Sequence, residues 1–322
     1  MKKSKKINLI VLVILLFISF ILLFCDLLFR DKNNTYQISV ISSGKSNESF
    51  MILKEGAEQA ALEMNANIRF LFLSKDNNEE EQIELIKRES KNEVDAILIN
   101  PIESKNVMDA VENASTKIPV VLIQSFIDIK GSINRVMCDE YQLGKSLVEE
   151  DLNNVSKNQY IMVITSDDNS TSYSERYNGV LDALNESNHK YVISNIENYV
   201  DYTFFNKVLD SSNIGAIVCM DRDITEKIAE LKKISINENF NNGVLILGVG
   251  NTNKIISLLE EEAVNATAVQ NEFNIGYIAV KNAIELKNGK KVEESKVIKS
   301  TVISSKDMYS PKNERILFQF VR

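Results

Sequence analysis

The 322-residue chain has one histidine, three cysteines and three prolines, and its 11 glycines are spread thinly. Each scarcity excludes a class. So little Gly and Pro rules out a collagen-like or low-complexity chain. Cys25, Cys138 and Cys219 cannot build a disulfide framework, and their spacing is not that of a zinc site. With His189 alone, multi-His metal centres and His-dependent triads are nearly excluded. His189 falls in a stretch, Asn185–Lys190, that reads as a surface turn. Basic residues are also short: 37 Lys+Arg stand against 45 Asp+Glu, a net charge of -8. Without Lys2, Lys3, Lys5 and Lys6 the balance is 33 against 45. So acidic a body has no electrostatic footprint for nucleic acid.

The N-terminus has what the body lacks, a long apolar run. Four lysines precede Ile7–Phe29, and Leu9–Cys25 carries no charge. That is long enough to cross a bilayer as a helix. The lysines are then expected inside the cell and everything after Arg30 outside. No Ala or Gly occurs before Gly44, so a small-x-small cleavage site is missing, and large residues fill the exit side. The expectation is an uncleaved anchor. A lipoprotein attached at Cys25 and a cleaved signal peptide remain alternatives, and all three place the body outside the cytoplasm.

After a polar linker the chain alternates strand and helix. Gln37–Ser42, Ile68–Leu73, Ala96–Asn100 and Pro119–Ile123 read as strands. Phe50–Met64 and Glu79–Lys91 read as helices, the second with Ile83 and Ile86 inward. The rhythm restarts at Tyr160–Thr165 and continues through Ser174–Leu184, Tyr191–Ile196, Ala216–Cys219, Val244–Gly248, Ala266–Gln270 and Val297–Ile303. Short apolar strands between helices fit parallel sheets covered on both faces. A dozen strands exceed one such sheet, so the expected class is α/β with two doubly wound lobes.

Ligands bind beyond the carboxyl ends of such strands. Polar residues recur there. Asn47 with Phe50 offers an amide and an apolar face, a pairing suited to a sugar, or else an ordinary helix cap. Gln124, Asp139-Glu140, Asp221-Arg222-Asp223, Gly250-Asn251 and Gln270-Asn271-Glu272 follow other strands. Arg176 lies early in a predicted helix, where a cation is not favoured. It calls for a forked partner, either ligand hydroxyls or a carboxylate such as Glu175 or a nearby aspartate. Tyr141, Tyr173 and Tyr199 are further candidates for a stacking face.

Several motifs run in a known order: Leu53-Lys54-Glu55-Gly56-Ala57, Ile97-Leu98-Ile99-Asn100-Pro101-Ile102, Lys117-Ile118-Pro119-Val120-Val121, Arg176-x-x-Gly179, Gly248-Val249-Gly250-Asn251, and Ala266-Thr267-Ala268-Val269-Gln270 before Ile275-Gly276. On these, Tyr36–Ile303 resembles the type I periplasmic binding proteins, in the ribose- and galactose-binding branch that shares its fold with LacI-type effector domains. The resemblance implies two lobes joined by three hinge crossings. The division is then 1–6 cytoplasmic, 7–29 transmembrane, 30–35 linker, 36–138 with 271–297 as the first lobe, and 139–270 with 298–322 as the second. It implies a ligand site of Asn47, Phe50, Gln124, Glu140, Arg176, Asp221 and Gln270. Gln124 stands where the family usually has an aspartate, and Gly250 replaces another, so ribose itself is disfavoured.

The implied function is a non-enzymatic solute-binding protein, expected as a monomer. It would close around a small polar ligand, a monosaccharide, for import by an ABC transporter permease. The alternative is a receptor presenting its closed form to a membrane histidine kinase or chemoreceptor. No cofactor, metal or nucleic acid is expected. Gly248-Val249-Gly250-Asn251 lacks the Gly-Lys-Ser/Thr ending of a phosphate loop, and no Gly-x-Ser-x-Gly elbow appears. The apolar C-terminal end is expected to dock on the second lobe.

Overall fold

The structure is a computed structural model that describes residues 18–21, 35–92, 94–124, 129, 133–168, 170–195, 213–237 and 243–318. Most of the expected anchor, 7–17 and 22–29, lies outside the described residues, as do Cys25, Tyr199 and the last four residues. Residues 18–21 are helical, and no helix among the described residues is long and apolar enough to cross a membrane.

From Gln37 onward the chain forms one compact unit holding two six-stranded sheets. The first contains β1 (Tyr36–Ile41), β2 (Ala66–Leu71), β3 (Ala96–Ile99), β4 (Val120–Ile123), β5 (Asn134–Cys138) and a late strand, β11 (Ser295–Ile298), in the order β11-β5-β4-β3-β1-β2. The second contains β6 (Tyr160–Thr165), β7 (Lys190–Asn195), β8 (Ile214–Cys219), β9 (Leu245–Val249), β10 (Ala266–Val269) and β12 (Thr301–Ser304), in the order β12-β10-β9-β8-β6-β7. The two orders are the same, and each has a switch point, between β1 and β3 and between β6 and β8. Central strands β3, β4, β8 and β10 are buried along their whole length, as helix-covered parallel strands must be.

Helices connect the strands: α1 (Glu48–Met64), α2 (Glu79–Glu89), α3 (Lys105–Ser115), α4 (Glu140–Asp151), α5 (Thr171–Glu186), α6 (Arg222–Asn237), α7 (Asn253–Glu260) and α8 (Glu272–Lys287). Asn47, Asn78, Ser104, Asp139, Ser170 and Thr252 cap six of them through their side chains. The chain passes between sheets after β5, after β10 and between β11 and β12.

Two local expectations are corrected. The second strand starts two residues earlier, because α1 ends on left-handed Asn65 and feeds straight into β2. The expected strand Val297–Ile303 is two strands: β11 pairs with β5 parallel, and β12 arrives from the other sheet and pairs with β10 antiparallel. As expected, α2 turns Ile86 and the partly buried Ile83 toward the core, and it buries Gln82 and Glu89 fully as well.

Each lobe has one helix pair whose backbones touch. In the first, a Cβ on Gly56 of α1 would lie 1.9 Å from the Phe273 carbonyl oxygen of α8, and one on Gly276 would lie 2.0 Å from that of Leu53. In the second, a Cβ on Gly144 of α4 would lie 2.1 Å from the Arg176 oxygen of α5, and one on Gly179 would lie 2.0 Å from that of Tyr141. No methyl group fits at such distances. The C-terminal helix α9 (Pro311–Leu317) docks on the second lobe, where Leu317 and Met308 pack with Ala229, Ile256, Leu259 and Ile303.

Gly179→Ala is expected to cost at least about 2 kcal/mol, since the backbones must separate. Gly243→Ala, with nothing within 4 Å of its added carbon, is the control and should shift stability by under about 0.5 kcal/mol. Urea midpoints at equal slope compare them.

Candidate functional site

The first lobe's switch point opens a polar cavity of about 240 Å³ at the carboxyl ends of its strands. Asn47, Phe50 and Gln124 line it, together with Ser43, Asp76 and Asn100. Asn47 is exposed, and its Oδ1 accepts from the Phe50 N–H at 2.9 Å, which leaves its amide nitrogen available. Phe50 is almost wholly buried and packs edge-on against Phe70 and Phe72, so little of its ring face is left for stacking. Gln124 takes a left-handed φ of 60°, and its Oε1 accepts from Asn100 Nδ2 at 3.3 Å.

The loops around this cavity are held by Gln82. Its Nε2 donates to the carbonyls of Ser42 (2.9 Å) and Asn100 (2.8 Å), and its Oε1 accepts from Ile102 N at 2.9 Å. One buried amide therefore ties together the two strand ends that flank the switch point. In the second lobe Thr225 does similar work: its hydroxyl donates to Asp221 O and accepts from Val249 N, linking the ends of β8 and β9. Neither residue stood out in the sequence, where Gln82 looked like one more polar residue on a charged helix.

The other expected site residues gather at the hinge. Arg176 is 7% exposed; its Nε and Nη2 reach Glu140 Oε2 at 2.9 and 2.7 Å, and its Nη1 donates to Met220 O at 2.7 Å. Burial opposes the guanidinium charge, and the Glu140 carboxylate more than offsets it, so the Arg176 pKa is raised. The forked partner of Arg176 is thus Glu140, not Glu175 or an aspartate. Gln270 Nε2 donates to the other oxygen, Glu140 Oε1. Asp221 contributes to the field at Arg176, and its Oδ1 accepts from Ile224 N at the start of α6. The seven residues therefore fall into two groups, three around the first-lobe cavity and four around the buried ion pair.

Two buried acceptors at this end have no hydrogen-bond partner among the described residues: Asn251 Oδ1 and Glu272 Oε2. Glu272, 2% exposed in the first turn of α8, was only one of the strand-end polar residues in the sequence. Burial pushes its carboxyl up to about 7, and Glu140 adds to the rise, while its own backbone N–H, Arg222 and Arg176 work against it.

The lobes also bond directly across the cleft. Glu103 Oε2 accepts from Thr171 N (2.9 Å) and Oγ1 (2.6 Å), and Ser172 Oγ donates to Gln124 O at 2.9 Å. Glu48 Oε1 accepts from Asn253 N at 2.7 Å, and Arg222 Nη1 reaches Ser49 Oγ at 3.4 Å. Of the tyrosines, Tyr173 is buried with its hydroxyl accepting from Ser166 N, and Tyr141 bonds Asp182. His189 is buried rather than in a surface turn, between Lys157 Nζ, Ser187 Oγ and Val155 O. Cys138 and Cys219 are buried free thiols whose pKa burial raises, so neither is poised to react.

Residues 38–291 match the family model described as a periplasmic binding protein domain. The chain belongs to the periplasmic binding protein family. Its members bind solutes outside the cytoplasm and are in general not enzymes. Solved structures share the two-lobed fold. A carbohydrate transporter solute-binding protein from Agrobacterium radiobacter, in complex with D-arabinose, is 19% identical with a TM-score of 0.77, over 88% of this chain and 99% of that one. GanP, a glucose-galactose binding protein from Geobacillus stearothermophilus, is 20% identical with a TM-score of 0.71, over 86% and 99%. XylFII, in the XylFII-LytSN complex, is 24% identical with a TM-score of 0.72, over 85% and 99%. No curated protein matches the chain.

The ion pair makes a testable distinction between holding the fold and holding a ligand. Glu140→Ala leaves Arg176 buried without its carboxylate and should cost about 3–5 kcal/mol. The double variant Glu140→Leu with Arg176→Met removes both charges and should cost much less. Denaturant midpoints of the two, measured without ligand, decide it.

Proposed function

We propose that this protein is an extracytoplasmic solute-binding protein that closes around a monosaccharide for ABC-type import. The observation that carries the reading is the polar cavity at the first lobe's switch point, where Asn47, Asn100, Asp76 and Gln124 offer directed donors and acceptors at the scale of a small ligand. A sugar's hydroxyls need such groups more than they need charge. The sugars bound by relatives, D-arabinose, D-allose, D-fucose and tagatopyranose, support the ligand class. In this reading Arg176 acts through Glu140 and Gln270. The trio sets the floor of the cleft, while Asn47, Gln124 and Asp221 meet the ligand. Binding favours the closed form because the ligand touches both lobes only there. The N-terminal apolar run serves as the membrane anchor.

A second reading has one observation in its favour: XylFII was solved in complex with a second protein, LytSN. A closed lobe pair presented to a membrane sensor would use the same cleft and the same hinge. Neighbouring genes separate the two: permease and ATPase genes favour import, kinase and regulator genes favour sensing.

The ligand test is a thermal-shift panel of aldoses, ketoses and polyols on the full chain. A ligand at 100 times its Kd should add about 2.7 kcal/mol of stability. Asn47→Ser keeps the helix cap but removes the free amide nitrogen, so it should weaken the hit without lowering the unliganded melting temperature. No shift with any sugar overturns the sugar assignment.

A further inference from the structure

We propose that Glu272 makes closure of the cleft proton-dependent, so that the two lobes close more readily in mild acid and open as the pH rises toward neutrality. The proposal rests on the hinge-closing part of the function above and not on the identity of the ligand.

The argument starts from placement. Glu272 opens α8, immediately after the chain has crossed from β10 back to the first lobe. Its helix belongs to that lobe: Phe273 and Gly276 press on Gly56, Leu53 and Ala57 of α1. The acid in the first turn of α1, Glu48, is committed to Asn253 N. The charges that act on Glu272 come from the second lobe: Glu140 on α4, Arg176 on α5 and Arg222 on α6. Cys138, at the other crossing, feels both Glu140 and Glu272. Glu272 is thus a first-lobe carboxyl buried at the hinge among second-lobe charges.

Those charges do not satisfy it. Arg176 bonds Glu140 and Met220 O, and Arg222 bonds Asp223 and reaches Ser49. Glu272 Oε2 has no partner among the described residues and is out of reach of water. A buried carboxylate oxygen with no donor is costly, and taking up a proton relieves the cost. Opening the hinge separates Glu272 from α4, α5 and α6 and admits water, returning it to the ordinary carboxylate range.

The sign follows from linkage. In the closed form the carboxyl titrates near 7 and in a hydrated form near 4.5, so the closed form holds a proton that the open form releases. Below the lower value both forms are protonated and closure is unaffected. Between the two values the closing constant falls by up to about tenfold per pH unit, and above the upper value it levels off about 300-fold lower.

Pulsed electron paramagnetic resonance on the full chain in detergent, without ligand, tests this. Spin labels go on Lys105→Cys in the first lobe and Lys227→Cys in the second, both exposed, with Cys25→Ser removing the third cysteine of the chain and Cys138 and Cys219 left as buried thiols. The expected result is a distance distribution that lengthens between about pH 4.5 and about pH 7 and changes little above that. Glu272→Gln should stay short throughout, and Glu272→Met, which removes the polar group, should do the same. A distribution that does not move with pH, or that moves equally in both variants, overturns the proposal. Because no sugar is present, a failed ligand panel would not touch this result, nor would a flat pH response touch the sugar reading.

Discussion

Much of the site depends on one close contact. Gly144 and Gly179 let the backbones of α4 and α5 meet, with the Arg176 and Tyr141 carbonyls where side chains would otherwise stand. The contact fixes the spacing between Glu140, at the start of α4, and Arg176, one turn into α5. At that spacing the two charges meet in a buried pair. The guanidinium then reaches Met220 O at the end of β8, and the carboxylate reaches Gln270 at the end of β10. Two strand ends and two helices are thereby tied to a single group of atoms. Desolvating a charge pair costs several kcal/mol per ion unless its remaining bonds are made. Here they are made by residues on separate elements, so the pair gives little net stability and much positional definition.

The same device appears in the first lobe at Gly56 and Gly276, and the two sheets share one strand order. What differs is how each lobe fills its switch point. The first leaves a polar cavity, braced by the buried amide of Gln82. The second packs the Glu140–Arg176–Gln270 group at the hinge and braces the ends of β8 and β9 with Thr225. Gly248 belongs to that brace, since a Cβ there would lie 2.2 Å from Thr225 Cγ2. Two lobes of one architecture thus contribute unlike halves: one an open polar cavity, the other packed around a buried ion pair.

This asymmetry explains what the sequence could show. Central strands such as Ala96–Ile99 and Val120–Ile123 were legible because burial on both faces demands continuous apolar runs. The last crossing was placed at 297/298 by the family resemblance, but the break of Val297–Ile303 into β11 and β12 was not legible, because the stretch reads the same whether it is one strand or two. Polar residues at strand ends marked the right edge of each sheet but overstated the site, because Asn47, Asp139 and Asp221 also serve as helix-start acceptors. A ligand group and a cap use the same side-chain oxygen chemistry, and composition cannot separate them. Gln82 and Glu272 went unselected for the opposite reason. Their importance lies in burial, and nothing local to a Glu-rich helix start or to Gln270-Asn271-Glu272 signals that the side chain turns inward.

The cleft's direct cross-lobe bonds bear on how a ligand can act at all. Glu103 to Thr171, Ser172 to Gln124, Glu48 to Asn253 and Arg222 to Ser49 are each exposed or only partly buried. Bonds of that kind exchange water for protein and net about 0.5–1.5 kcal/mol apiece. Against them stand the unpaired acceptors of Glu272 and Asn251, each of which costs about 1–3 kcal/mol when buried without a donor. The opposing terms are of similar size, so these bonds alone do not lock the lobes together. A hinge balanced in this way can be moved by the differential affinity of a small molecule, which seldom exceeds a few kcal/mol. A cleft built from stronger cross-lobe contacts would stay shut and exclude its ligand. One without them would make the ligand supply the whole cost of ordering two lobes.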